Sequence, residues 1–316
     1  MKTKRLGRTG ALVSELCFGT MSFGGDADET TAGAIYAACR DAGLNFFDCA
    51  DSYCGGRSEE ILGGLIRGHR DEVFITSKCG MGRHKGASRR GIRLSCEASL
   101  RRLGVERIDL YFMHRFDESV PLEETMRALE DLRASGKVAH IGCSNYAAWQ
   151  IATANGIAAR EGFAPFEVVQ PMYSLIKRQA EVEILPLAAA ADLGVISYGP
   201  GAGGLLTGKY RTGAEGRFSV NKDYQKRYAG DWFRETAARF ADFAESRGDN
   251  PMTLAVAWAK AHPAITCPII GARSVEQLKA SLAAADYDMP PALHAEISAL
   301  SRTPPPATDR LEELAD

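Results

Sequence analysis

The chain has 316 residues, 45% hydrophobic and 25% charged, with a formal charge of −2 and a pI near 6.3. Such proportions suit a globular protein with a sizeable core, and the charge balance gives no electrostatic reason to expect nucleic acid or an anionic membrane as partner. No run reaches the ~18 apolar residues of a membrane span, and the N-terminal "MKTKRLGRTG" lacks an apolar signal segment, so a cytoplasmic location is expected.

The opening "KRLGRTGALVSEL" reads as a small hairpin that closes one end of the fold. Eight short apolar runs then follow, starting at Leu16, Phe46, Val73, Ile108, Ala139, Val168, Val195 and Ile265, with gaps of 30, 27, 35, 31, 29, 27 and 70 residues. Amphipathic stretches such as "ETTAGAIYAACRDAG", "SRRGIRLSCEASLRRLG" and "LEETMRALEDLRASGK" lie between them, several ending in Gly as a helix should. Strands apolar on both faces and separated by helices imply a parallel sheet. Eight such units predict an α/β fold, a closed (β/α)8 TIM barrel in one domain over residues 1–316. The long last gap predicts a Gly/Lys/Arg-rich loop over roughly 199–230 after the seventh strand. An extra helix over 231–247 and another over 251–262 are expected behind it, and a polar tail from about 302 to 316.

The eight cysteines (Cys17, Cys39, Cys49, Cys54, Cys79, Cys96, Cys143 and Cys267) form no CxxC pair and fall mostly inside apolar runs. They read as reduced thiols rather than a disulfide framework. Cys49 and Cys54 have no His or Cys companions at zinc-like spacing, so no metal site is expected. Basic runs such as "RGHR" and "SRRGIR" have acidic residues close behind and read as solvated faces.

In this kind of barrel the C-terminal ends of the strands line the site. Strand two ends at Asp48 with Tyr53 in its loop, strand three at Lys78, strand four at His114 and strand five at Ser144 and Asn145. Strand six carries Gln170, strand seven Tyr198, and strand eight delivers Arg273. Scattered core polars do not account for a polar or aromatic group at one level on seven consecutive strands.

Tyrosine, with an ordinary pKa near 10, is a reluctant acid at neutral pH. A lysine ammonium beside it favours the phenolate, and a carboxylate holds that lysine charged and in place. Asp48, Lys78 and Tyr53 make such a relay, and His114 can orient a carbonyl oxygen toward the phenol. The set suits proton transfer to an oxygen gaining negative charge, as in reduction of a carbonyl by a hydride donor. Met21, Phe23, Arg115 and Phe116 follow strands one and four and are expected to border a polar small-molecule carbonyl substrate, such as an open-chain sugar.

From about residue 5 to residue 286 the chain resembles the aldo-keto reductase family. "FDCADSYCGGRSEEILG", "DLYFMHRFD", "GCSNY", "GGLLTGKY" and "PIIGARSVEQL" look like five of its motifs, in the family's order. The resemblance implies a catalytic tetrad of Asp48, Tyr53, Lys78 and His114, with Tyr53 as general acid. It implies that Ser144, Asn145 and Gln170 hold the nicotinamide carboxamide, that Tyr198 stacks on its ring, and that Arg273 and Ser274 take the 2′-phosphate of NADP(H). Gly19, Thr20, Met21, Gly199, Gly201, Leu205, Lys209, Gly271 and Gln277 would line the rest of that cofactor. NADP(H) is preferred over NAD(H), although Gln277 stands where some members carry a second arginine, and Ala280 and Ser281 replace frequent adenine contacts. Cys54 replaces a usual glycine, and "YGPGAGG" replaces a common Ser-Pro-Leu core.

Plainer readings exist beside these. Asp48 alone could cap structure, Ser144 and Asn145 could turn the chain, and His69, His84, His140, His262 and His294 read as core or surface histidines. "GPGAGG" satisfies GxGxxG, but "LLTGKYRTG" does not open as a helix, so a dinucleotide fingerprint is not expected. Two other functions stay open. One is a cofactor-occupied regulatory module like the channel β subunits on this barrel, and the other a metal-dependent sugar isomerase. Oligomeric state is left open.

Overall fold

A computed structural model describes residues 1–213, 216, 218, 221–310 and 312 of the chain. The N-terminal strands β1 (Thr3–Arg5) and β2 (Leu12–Ser14) pair antiparallel as the expected hairpin. Each of the eight apolar runs then yields one strand: β3 (Cys17–Gly19), β4 (Phe46–Asp48), β5 (Phe74–Cys79), β6 (Ile108–Met113), β7 (Val138–Ser144), β8 (Val168–Gln170), β9 (Gly194–Tyr198) and β10 (Cys267–Ile270). They close into a barrel in the order β10-β3-β4-β5-β6-β7-β8-β9, all neighbours parallel. The fold is a (β/α)8 barrel.

Helices α1 (Glu29–Asp41), α2 (Arg57–Ile66), α3 (Arg89–Leu103), α4 (Leu122–Ala134), α5 (Ala148–Glu161) and α6 (Ile184–Ala190) connect the first seven barrel strands. Their ends follow side-chain chemistry. Asp28 accepts from the Thr31 amide to start α1, Ser88 accepts from Gly91 to start α3, and Gly104 in the left-handed region stops α3. After β9 come two 3-10 turns (Ala202–Thr207 and Lys209–Thr212), α7 (Lys222–Arg227), α8 (Asp231–Ser246) and α9 (Pro251–Ala261), before β10. Helices α8 and α9 each stop one residue short of expectation, ordinary fraying at a helix end. Ala202, Gly203 and Gly204 all have positive φ, so "GPGAGG" does not start an α-helix. The chain finishes with α10 (Val275–Leu282) and α11 (Pro291–Ser298). In the tail, Arg302 lies over the Trp232 ring, and most residues from Arg302 to Arg310 are exposed. Residues 311 and 313–316 of the expected tail lie outside the described residues.

Two shells of core follow from strand alternation. Outward residues such as Phe47, Ile75, Tyr111 and Met113 pack under the helices. Inward residues Cys17, Phe46, Leu110, Phe112, Val168, Ile196 and Cys267 form a separate cluster with Leu6 and Val13, so the hairpin plugs the barrel's closed end. Gly142 is required there, because a Cβ would stand 2.6 Å from the Phe112 ring and 2.4 Å from the Val168 carbonyl. All eight cysteines are free; Cys54 alone is exposed.

Candidate active site

Alternation carries the inward faces of these strands from apolar to polar at the open end. Asp48 is 2% exposed and Lys78 fully buried, and neighbouring strands bring them face to face. The Lys78 Nζ donates to Asp48 Oδ2 at 2.6 Å, to the Cys49 carbonyl at 2.8 Å and to the Tyr53 Oη at 3.2 Å. All three ammonium protons therefore have an acceptor. Asp48 Oδ1 accepts from Thr76 Oγ1 at 2.7 Å and from Gln170 Nε2 at 2.8 Å. The carboxylate is thus saturated by groups from β5 and β8 as well as by the lysine.

Burial opposes the Lys78 charge, but Asp48 and Tyr53 outweigh it and hold its pKa above the ordinary lysine value. Tyr53 departs from expectation. Although partly exposed, its phenol is so surrounded that burial dominates, Lys78 offsets only part of it, and the pKa is pushed up to about 12. The lysine therefore does not lower the resting pKa of the tyrosine below normal. It stands ready to stabilise the phenolate once a proton has left. His114 is pushed down to about 3 by burial, with Lys78 and Arg115 adding to the effect, so its imidazole is neutral. Its ring meets the Tyr53 ring edge-on, with centroids 6.0 Å apart, and its Nδ1 is buried without a hydrogen-bond partner.

The turn that presents Tyr53 has three consecutive left-handed residues: Cys54 (φ 47°), Gly55 (φ 65°) and Gly56 (φ 100°). The two glycines adopt this freely; Cys54 does so against its Cβ. Beneath the turn, fully buried Glu59 takes Ser77 Oγ and the Arg102 guanidinium, anchoring the start of α2.

The cofactor candidates divide into two groups. At the tops of β7–β9, Ser144 Oγ donates to the Gln170 carbonyl at 2.9 Å. Asn145 (φ 57°) donates to the His114 carbonyl at 2.9 Å and accepts from Tyr198 Oη at 2.7 Å. At the end of β10, Ser274 caps α10 by accepting from the Gln277 amide, while Gln277 Oε1 accepts from the Arg273 amide. The Arg273 guanidinium has Asp26 only at 4.0 Å. Gly19, Gly199, Lys209 and Gly271 are at least partly exposed, while Gly201 and Leu205 are buried.

Three placements differ from expectation. Phe23 is fully buried, 5.6 Å from the Phe18 ring, and does not border a substrate; it follows a 3-10 turn that tucks it inward. The Thr20 hydroxyl, fully buried, donates to the Asp48 carbonyl and bonds Ser58, so it braces the loop instead of facing the mouth. The Gln170 amide holds Asp48. Met21 and Arg115 are exposed and Phe116 partly so. Sequence reasoning missed Thr76, although it lies two residues before Lys78 and period two puts both on one face. It also missed Trp149, 64% exposed and 6.0 Å from the Phe116 ring, which no periodic signal marks.

A sequence model described as the Aldo/keto reductase family matches residues 15–302. The chain belongs to the aldo/keto reductase family. As an aldo/keto reductase it is an oxidoreductase of the carbonyl-reducing kind, in a family that works with nicotinamide cofactors. It is 37% identical to the uncharacterized oxidoreductase YrpG of Bacillus subtilis, over 92% of each chain. It is 36% identical to a probable voltage-gated potassium channel subunit beta of Arabidopsis thaliana, over 90% of this chain and 92% of that one. The aflatoxin B1 aldehyde reductase member 2 of Rattus norvegicus is 34% identical, over 85% of this aldo/keto reductase and 79% of its own length. No helix among the described residues is long and apolar enough to cross a membrane.

Proposed function

We propose that the chain reduces an aldehyde or ketone to the alcohol with NADPH, and that Tyr53 is the general acid. The observation that carries this reading is the single Lys78 ammonium bonded at once to Asp48, the Cys49 carbonyl and Tyr53 Oη. When bound, the cofactor supplies the hydride that ends on the carbonyl carbon. Tyr53 Oη gives its proton to the oxygen that becomes an alkoxide, and the phenolate left behind faces Lys78 at 3.2 Å. Asp48 keeps Lys78 charged and aimed. Neutral His114 directs the carbonyl oxygen toward the phenol, with its backbone held by Asn145. The same groups serve the reverse oxidation.

Ser144, Asn145 and Tyr198 would hold the nicotinamide end, with Gly19, Met21, Gly199, Gly201, Leu205, Lys209 and Gly271 along the remainder. Arg273 and Ser274 at the start of α10, with Gln277 bracing them, would take the 2′-phosphate. A guanidinium whose one carboxylate contact among the described residues is at 4.0 Å, beside a helix N-terminus, suits a phosphate, which favours NADP(H) over NAD(H). Met21, Arg115 and Phe116, joined by Trp149, would border a polar small-molecule carbonyl. A cytoplasmic site of action accords with the buried free thiols.

A regulatory role is favoured by the likeness to the plant channel subunit, and turnover separates it from catalysis. A metal-dependent isomerase needs several converging ligands. Among the described residues no three His, Cys, Asp or Glu side chains converge in that way, and both Asp48 oxygens are engaged by nitrogen and hydroxyl donors. The deciding experiment is fluorescence titration with NADPH and NADH, then NADPH oxidation against a carbonyl panel. Tight NADPH binding is expected, with turnover reduced about 10²–10⁴-fold in Tyr53→Phe while NADPH affinity holds. Binding without turnover on any carbonyl would favour the regulatory role, and no nucleotide binding would overturn both.

A further inference from the structure

The loop after β3, from Thr20 to Ala27, carries a charge that the proton relay does not use. Its backbone is tied to itself: the Gly25 and Ala27 amides both donate to the Ser22 carbonyl, at 3.1 and 2.9 Å, and the Gly24 amide donates to the Ala27 carbonyl at 2.8 Å. The buried Ser22 hydroxyl donates to the Ala272 carbonyl at 2.7 Å and so fastens the loop beside the end of β10. On the other side a Cβ at Gly25 would stand 2.8 Å from Cys54 Sγ, so the loop is held between β10 and the turn that carries Tyr53. Asp26 is the acidic residue of this fastened loop, and it faces the residue that follows Ala272.

Asp26 Oδ2 lies 4.0 Å from Arg273 Nη1, and Arg273 is its one ion partner among the described residues. The neighbouring carboxylates are engaged elsewhere, Glu29 by Arg57 and Glu276 by Lys279. At that distance the pair is no hydrogen bond, and with side chains 52% and 34% exposed it adds little to stability. The Ser22 hydroxyl already holds the loop. What the pair does is keep a negative charge beside the guanidinium assigned above to the cofactor's 2′-phosphate. NADPH differs from NADH only by that phosphate, which brings about two further negative charges. A phosphate needs the donors of Arg273 and meets the charge of Asp26, whereas a 2′-hydroxyl carries no charge for either to act on.

We propose that Asp26 sets the cofactor preference: it competes with the 2′-phosphate for Arg273 and narrows the advantage of NADPH over NADH. This rests on the reading of Arg273 as the residue that takes the 2′-phosphate. Removing the Asp26 charge relieves both the competition and the repulsion, so NADPH tightens while NADH does not. A single exposed charge acts weakly through water, so the gain is about threefold to tenfold, and it shrinks as salt screens both groups.

The test is fluorescence titration of the full chain with NADPH and with NADH, at low and at high salt. It compares the wild type with Asp26→Asn, Arg273→Gln and the double variant, melting temperatures showing that each is folded. Asp26→Asn is expected to raise NADPH affinity about threefold to tenfold at low salt and to leave NADH within about twofold. In the Arg273→Gln background the same substitution should give a smaller gain. NADPH affinity unchanged by Asp26→Asn, or both nucleotides moving together, overturns the proposal. So does an equal gain in the double variant, since Asp26 would then not act through Arg273. An NADPH-to-NADH ratio unmoved by Arg273→Gln alone overturns the 2′-phosphate reading itself, and the role of Asp26 with it.

Discussion

At the closed end of the barrel, Phe46, Val168 and Ile196 pack against Leu6 and Val13 of the hairpin, with no charged group among them. Two residues further along the same three strands stand Asp48, Gln170 and Tyr198. The backbone does the same thing at both ends; only the chemistry of the inward side chain changes. Apolar packing is undirected, so each contact at the closed end is one of many and a lost side chain costs its own area plus the cavity it leaves. At the open end the contacts are directed and few, and each group is the reason its neighbour is tolerated. Lys78 is buried because Asp48, the Cys49 carbonyl and Tyr53 take its protons, and Asp48 because Lys78, Thr76 and Gln170 take its lone pairs.

Removing one member of the open-end set should therefore do more than removing one closed-end side chain. Lys78→Met leaves a buried carboxylate uncompensated. A loss of about 3–5 kcal/mol in urea unfolding is expected, with turnover abolished. The double variant Asp48→Asn/Lys78→Met should recover part of that stability and none of the activity; strictly additive stability losses would show that the two groups are not coupled. At the closed end, Leu110→Ala should cost about 2–5 kcal/mol by cavity formation, while the folded fraction keeps its turnover per molecule. If turnover fell with stability there, the two ends would not be the independent regions described.

The pH behaviour sharpens the same contrast. His114 has a folded pKa of about 3 against an ordinary value of 6.5, so the native state prefers the neutral ring. Its contribution is fully present above pH 6.5 and is lost as pH falls from there toward 3, because the unfolded chain then binds the proton that the native site refuses. His114→Gln should flatten the stability profile over that window, read by thermal melts at a series of pH values. Tyr53, with a pKa of about 12, stays protonated through neutral and moderately alkaline pH, so the reduction rate should show no loss near neutrality from this group. The smallest effect is expected at the turn: Cys54→Gly relieves a left-handed Cβ but adds chain entropy, for a net gain of about 0.5 kcal/mol, visible as a small rise in Tm. A fall in Tm would mean that the Sγ contact to the Met21 carbonyl outweighs the strain.

Much of the molecule was legible in the chain itself. The recurrence of eight apolar runs pointed to the barrel, because strands buried on both faces and separated by helices pair in parallel, and eight such units suit a closed barrel. The end of each run put Asp48, Lys78 and Gln170 at the mouth, while their inward direction comes from strand alternation in the closed barrel. What only the tertiary structure decided concerns contacts between distant segments and the balance of opposed effects. That Gln170, 122 residues away, donates to Asp48, and that Thr20 braces its carbonyl, depends on barrel closure and register. That Phe23 is buried depends on a local turn that its neighbours' composition does not announce. The raised pKa of Tyr53 is a difference between burial and the pull of Lys78, and sequence names the partners of such a difference without giving its sign.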